Sequence, residues 1–139
     1  MEYKRFGETV VVRMDPGEEI VENVLALAEK ENIRLASIEA LGAVNEFTVA
    51  VLDTAEKQFY RNTFTGAYEI TSLVGTLTEQ DGKPYLHLHM SAADRTGLVR
   101  GGHLNRAVVS ATCEMVIRLI DGSVGRRFDS AVGLNVFAF

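Results

Sequence analysis

Near Ile33 the hydrophobic period of this chain changes from helical to alternating, and it does not change back. That switch restricts the fold more than any other feature. Before it, residues 3–13 read as a strand centred on the β-branched run Val10, Val11 and Val12. Asp15 then offers a favourable N-cap, Pro16 suits a first helical position, and Glu18 completes an Asp-x-x-Glu box. Ile20, Val24, Leu27 and Ala28 fall on one helical stripe, with Glu22, Glu29 and Lys30 on the wet side, so a helix is predicted that frays near Asn32. After it, residues 33–40, 47–53, 58–64, 68–78, 85–91 and 107–120 read as strands, and 132–139 as a last strand that closes the sheet. Asp81-Gly82, Asp94 to Gly97 and Asp121-Gly122 supply the turns. One early helix followed by hairpin-linked strands predicts an α+β fold, an α/β-type single domain over residues 1–139. Its sheet is mostly antiparallel, with one main helix packed on it.

Composition narrows the function classes. With 139 residues, 47% apolar and 24% charged, the chain can bury one ordinary core. Its apolar runs are too short to span a bilayer, and Met1 to Phe6 lacks the apolar stretch of a secretion signal. The single cysteine, Cys113, cannot pair within the chain, which fits a reducing compartment; a cytoplasmic protein is expected. Nineteen acidic against 14 basic residues give a formal charge of −5, and the densest basic groups are only Lys4-Arg5 and Arg126-Arg127. Nucleic-acid binders draw most of their affinity from neutralising phosphates, so this balance does not favour DNA as a partner.

The chemistry concentrates in the histidines. Strand residues two apart share a face, which places Tyr85, His87 and His89 on one side and Leu86, Leu88 and Met90 on the other. His103 follows fourteen residues after His89, behind Gly101-Gly102, and a turn through Asp94 to Gly97 can bring it back beside the pair. These are all three histidines of the chain. Three neutral imidazoles suit Zn²⁺ and leave a fourth position open; nickel, iron(II) and copper accept almost the same ligands. On spacing alone, the alternative stands beside it: three ordinary histidines bonded to backbone groups.

Other candidates carry less. Glu114 could orient a histidine or act as a base, and Tyr85 could support the site from the histidine face. Glu114 equally suits the wet face of a strand. Glu69 alternates with Ile70 and is expected to be exposed or paired with an arginine, while Cys113 is expected to be buried. No serine-histidine-acid order, phosphate loop or dinucleotide fingerprint is present, so the residues name no reaction and leave enzyme status open.

Several segments resemble the PPC domain, the small domain of prokaryotes and of plant AT-hook nuclear proteins. Gly66 to Gly75 (GAYEITSLVG) is similar to its Gly-x-Phe-Glu-Ile-x-Ser-Leu-x-Gly stretch, and Leu86-His87-Leu88-His89 with Gly101-Gly102-His103-Leu104 resembles its bacterial and archaeal form. Pro16 to Ile20 and Leu41-Gly42-Ala43 match as well, so the likeness covers nearly the whole chain. The resemblance implies an antiparallel sheet with one main helix, assembled as a homotrimer, and a metal site, most simply Zn²⁺, at His87, His89 and His103. Plant members carry an AT-hook for DNA; this chain has no Arg-Gly-Arg-Pro hook and no basic tail.

Two functions are therefore expected to compete. One is a metal-binding homotrimer that takes an unknown small ligand or acts as a metalloenzyme. The other is a regulatory module that binds DNA or a transcription factor. A cupin-like enzyme would add a glutamate shortly after the histidine pair, whereas here the nearest acid is Asp94, in a turn.

Overall fold

The computed structural model describes all residues from Met1 to Phe139. In chain order it has β1 (Glu2–Phe6), β2 (Thr9–Met14), α1 (Ile20–Lys30), β3 (Ala36–Asp53), β4 (Gln58–Gln80), β5 (Lys83–Ala93), β6 (Val99–Leu119), β7 (Gly125–Asp129) and β8 (Leu134–Ala138). Every strand pairing is antiparallel, so the fold class read from the alternation is the observed one. No helix is long and apolar enough to cross a membrane.

The N-terminal segment departs from its reading in two places. Residues 3–13 form a hairpin rather than one strand, because Gly7 adopts the left-handed region at φ 58° and folds Phe6 against Thr9. The helix starts later than the Asp-x-x-Glu box suggests. Pro16 and Gly17 (φ 88°) make a turn in which Glu18 N–H donates to the Asp15 carbonyl at 3.2 Å. Asp15 N–H donates to Glu18 Oε2 at 2.8 Å, so the reciprocal bond of a capping box forms around a turn. The true N-cap is Glu19, whose carboxylate accepts from Glu22 N–H at 2.6 Å. Ile20, Val24, Leu27 and Ala28 are buried as their spacing requires. Asn32, at φ 50°, ends the helix, and Asn32 and Ile33 N–H donate back to the carbonyls of Glu29 and Ala28.

Beyond the helix the strands are longer than their local patterns. Residues 33–53 and 58–78, read as four strands, belong chiefly to two, β3 and β4. The breaks in alternation are register shifts between Ala40 and Gly42 and between Val44 and Glu46, not chain reversals. Gly42 makes the first possible: a side chain there would collide with Thr112 and come within 2.8 Å of Cys113 Cα. Asp81 and Gly82, both at positive φ, turn β4 into β5 as the Asp-Gly signal predicts.

The main sheet runs β1-β2-β6-β3-β4-β5, and β5 pairs in addition with β6. Strands β3, β4, β5 and β6 thus close a circuit around a core that includes Phe47, Leu73, Leu77, Leu88, Met90 and Ile117. Helix α1 lies against β5 and β6. The C-terminal segment does not close this sheet. β7 and β8 pair only with each other, because Asp129 to Gly133 reverses the chain: Asp129 Oδ1 accepts from Ala131 N–H at 2.9 Å and Gly133 N–H donates to the Asp129 carbonyl at 2.7 Å.

Candidate metal centre

Register brings the three histidines together. Across β4 and β5, His87 stands opposite Thr76 and His89 opposite Val74; across β5 and β6, His89 stands opposite His103; and His103 also faces Ala50 of β3. Directly opposed residues share a face, so all three imidazoles project from the same side of the sheet. Leu88 and Met90 go the other way, into the core. The glycines permit the approach. A Cβ on Gly75 would collide with the His87 carbonyl and come within 2.8 Å of Leu88 Cα. On β6, a Cβ at Gly101 would lie 2.6 Å from the Met90 carbonyl oxygen and one at Gly102 2.6 Å from that of Ala50. Any side chain at these positions would push β4, β5 or β6 away from the site.

Ring centroids are 5.0 Å apart for His87 and His103, 5.2 Å for His87 and His89, and 5.7 Å for His89 and His103. One nitrogen from each ring lies within 4.8 Å of the others. Tetrahedral zinc with bonds of about 2.1 Å needs nitrogens roughly 3.4 Å apart, so an ion would have to draw the three rings closer together. The donor set fits a divalent ion. Burial first, then His103, His89 and Arg126, lowers the His87 imidazole to about 4. Burial, then His89 and Arg61, also lowers His103 from its ordinary value. Both rings are held neutral near pH 7, the form that ligates metal. The backbone-bonded alternative is not realised: no hydrogen bond in the structure engages a histidine nitrogen.

The histidines form the floor of a cavity of about 630 Å³. Leu52 and Phe59 from the β3–β4 hairpin and Phe128 and Leu134 from the β7–β8 hairpin make apolar walls, and Tyr85 lines it beside His87. Phe59 packs 5.8 Å from the His103 ring. Arg126 stacks on the Tyr85 and Phe137 rings at 4.7 and 4.4 Å. Its Nε donates to Thr78 Oγ1 at 3.0 Å, Nη1 to the Asn135 carbonyl at 3.2 Å and Nη2 to Thr76 Oγ1 at 3.4 Å.

Among the weaker candidates, Tyr85 is brought to the site and Glu114 is not. Glu114 lies on β6 opposite Arg13 and Leu41, eleven residues beyond His103. At roughly 3.3 Å per residue that is about 36 Å along the strand, so it cannot orient an imidazole or serve as a base there. Glu69 is exposed and Cys113 buried, both as expected, and burial pushes the Cys113 thiol up to about 11. The alternation missed Arg126, Phe59 and the β7–β8 wall. The Arg126-Arg127 pair was visible only as local charge, and nothing local ties it to a histidine more than twenty residues earlier.

Residues 1–121 match the family model of the Plants and Prokaryotes Conserved (PCC) domain. The structure is similar to that of a Bacteroides thetaiotaomicron protein whose name proposes DNA binding, with a TM-score of 0.96 and 28% identity over 99% of this chain and 96% of that one. A metal-containing protein from Archaeoglobus fulgidus superposes with a TM-score of 0.88 and 30% identity, over 99% of this chain and 97% of its own. A plant- and prokaryote-conserved (PPC) protein from Pyrococcus horikoshii gives 0.86 and 26%, over 99% and 94%. No curated protein shows a significant match.

Proposed function

This chain belongs to the Plants and Prokaryotes Conserved domain family, and on that premise we propose that it is a homotrimeric metalloprotein that binds a small ligand beside a Zn²⁺ ion held by His87, His89 and His103. The observation that carries the reading is the convergence of all three histidines of the chain on the floor of one cavity. The metal-containing relative from Archaeoglobus supports it. In this ligand set a bound divalent ion supplies a Lewis acid with an open coordination position. Neutral His87 and His103 leave the ion its full charge, Tyr85 offers a hydroxyl at the cavity wall, and Phe59 and Phe128 give that wall an apolar surface.

Assembly has its own support. The sheet face that carries the histidines continues into apolar residues left open in one chain: Leu41 is 58% exposed, Val74 51% and Val11 43%. A neighbouring copy would cover such a patch.

The test is metal content per chain, by elemental analysis, for the wild type and for His87→Ala with His89→Ala. About one ion per chain, lost in the double variant, is the expected result. Wild-type protein that stays metal-free after zinc loading, or a variant that keeps its ion, defeats the proposal.

A second reading is a DNA-binding regulatory module, favoured by the name of the Bacteroides relative. It requires salt-sensitive affinity for duplex DNA despite the charge of −5. Absence of binding at low salt removes it.

A further inference from the structure

We propose that the cavity above the histidines selects a small organic carboxylate with an apolar body, its charged end drawn to the histidine floor between Arg61 and Arg126. The inference rests on the reading of this cavity as a ligand site, and it does not depend on which metal the histidines hold.

The charge distribution is the first support. Acidic residues outnumber basic ones in the chain, 19 to 14, yet no aspartate or glutamate lines the cavity. No arginine is in that lining either, but Arg61 and Arg126 stand just outside it, and neither has a carboxylate partner. Arg61 stands opposite Ala50, and Ala50 opposite His103, so the three make one row across β4, β3 and β6 on the histidine face. Arg126 reaches Thr76, which stands opposite His87. Elsewhere on the sheet Arg13 is paired with Glu2 and Asp15, Arg106 with Glu46 and Arg118 with Glu39, while Arg5 donates to the Gly7 carbonyl and Arg100 stacks on Phe64 without a carboxylate partner. Charges left unpaired on both sides of one cavity raise its affinity for anions.

Donor capacity is the second. A guanidinium carries five N–H groups, and the fold uses Arg126 through one bond each from Nε, Nη1 and Nη2, all to neutral oxygens. Its terminal nitrogens keep N–H groups to spare, and Arg61 makes no hydrogen bond within the fold. Planar guanidinium groups match carboxylates.

The walls choose the class of anion. Phosphate sites are usually built from backbone N–H groups at a helix start or a glycine nest. Here the lining comes from strands and hairpins whose N–H groups are largely committed to ladders, and α1 lies elsewhere. Leu52, Phe59, Phe128 and Leu134 instead form an apolar sleeve for a hydrocarbon or aromatic body. At about 630 Å³ the space suits a small molecule and not a polymer.

The experiment is isothermal titration of zinc-loaded protein with 3-phenylpropanoate and with its neutral amide, metal content being measured on the same samples. The acid should bind at least about ten-fold more tightly than the amide. Arg61→Gln removes a charge without removing any bond of the fold, and should weaken the acid by about three- to five-fold while leaving the amide unchanged. Arg126→Gln should weaken the acid further, with Arg126→Lys in between. Equal binding of acid and amide, no binding of either, tighter binding of inorganic phosphate, or wild-type affinity in a folded Arg61→Gln protein would each overturn the proposal. A metal-free wild type that still prefers the acid would defeat the metalloprotein reading and leave the carboxylate site standing.

Discussion

His89 and His103 stand directly opposite each other on β5 and β6, their ring centroids 5.7 Å apart and their planes at 89°. This cross-strand pair joins two parts of the chain that the His-x-His spacing of β5 does not connect. His103→Ala should therefore leave the β5 pair in place and still lower zinc affinity by roughly a hundred-fold or more, since ligand loss exceeds the usual cost of disturbing an outer partner. Competition against a chromogenic chelator measures it. Unchanged affinity would show that His103 is not a ligand.

Protonation of His87 gives a pH signature in metal-free protein. Its folded value near 4 lies below the ordinary 6.5, so between those values the unfolded chain holds more protons than the folded one. Stability should fall as pH drops through that window, and His87→Ala should flatten the slope. Urea midpoints across the window decide; identical slopes in the two proteins would contradict the assignment.

Gly75 sets the distance between β4 and β5 at the site. Gly75→Ala places a methyl group against the His87 carbonyl and the Leu88 backbone. Neither can move without displacing β5, so the variant should lose about 3 kcal/mol of stability and bind zinc more weakly. Chemical denaturation with metal titration tests both. A stable variant with normal zinc affinity would show that the strands separate without moving the histidines.

Glu19 ties the helix to the sheet. Only 8% exposed, it caps α1 through Glu22 N–H and accepts from the buried Ala107 N–H at 2.8 Å. Glu19→Ala leaves both donors unsatisfied and should cost about 2–3 kcal/mol. Glu19→Gln keeps an acceptor oxygen and should cost less. Equal urea midpoints for wild type and Glu19→Ala would refute this.

The apolar outer face makes an assembly prediction. Light scattering on size-fractionated protein should give the mass of three 15.3 kDa chains, and Leu41→Glu should shift it toward the monomer while the fold persists. A monomeric wild type would remove the homotrimer from the proposed function.

Local chemistry in the sequence determined a good deal about this protein. The period of two put His87, His89 and Tyr85 on one face, the period of 3.6 put Ile20, Val24, Leu27 and Ala28 on another, and Asp81-Gly82 demanded its hairpin. Each of these follows from backbone geometry within a few residues. Elsewhere the local signals had more than one solution. Asp15 to Glu18 satisfies a capping box and a Pro-Gly turn equally well, and the irregularities of β3 look like strand ends because a bulge and a loop interrupt alternation alike. What only the tertiary structure decided is which distant strands lie side by side. It carried Glu114 about 36 Å down β6 from the histidines at roughly 3.3 Å per residue, and folded Arg126 and the β7–β8 hairpin over His87. Those placements rest on inter-strand register and on packing between segments far apart in the chain, and no periodicity within one segment encodes them.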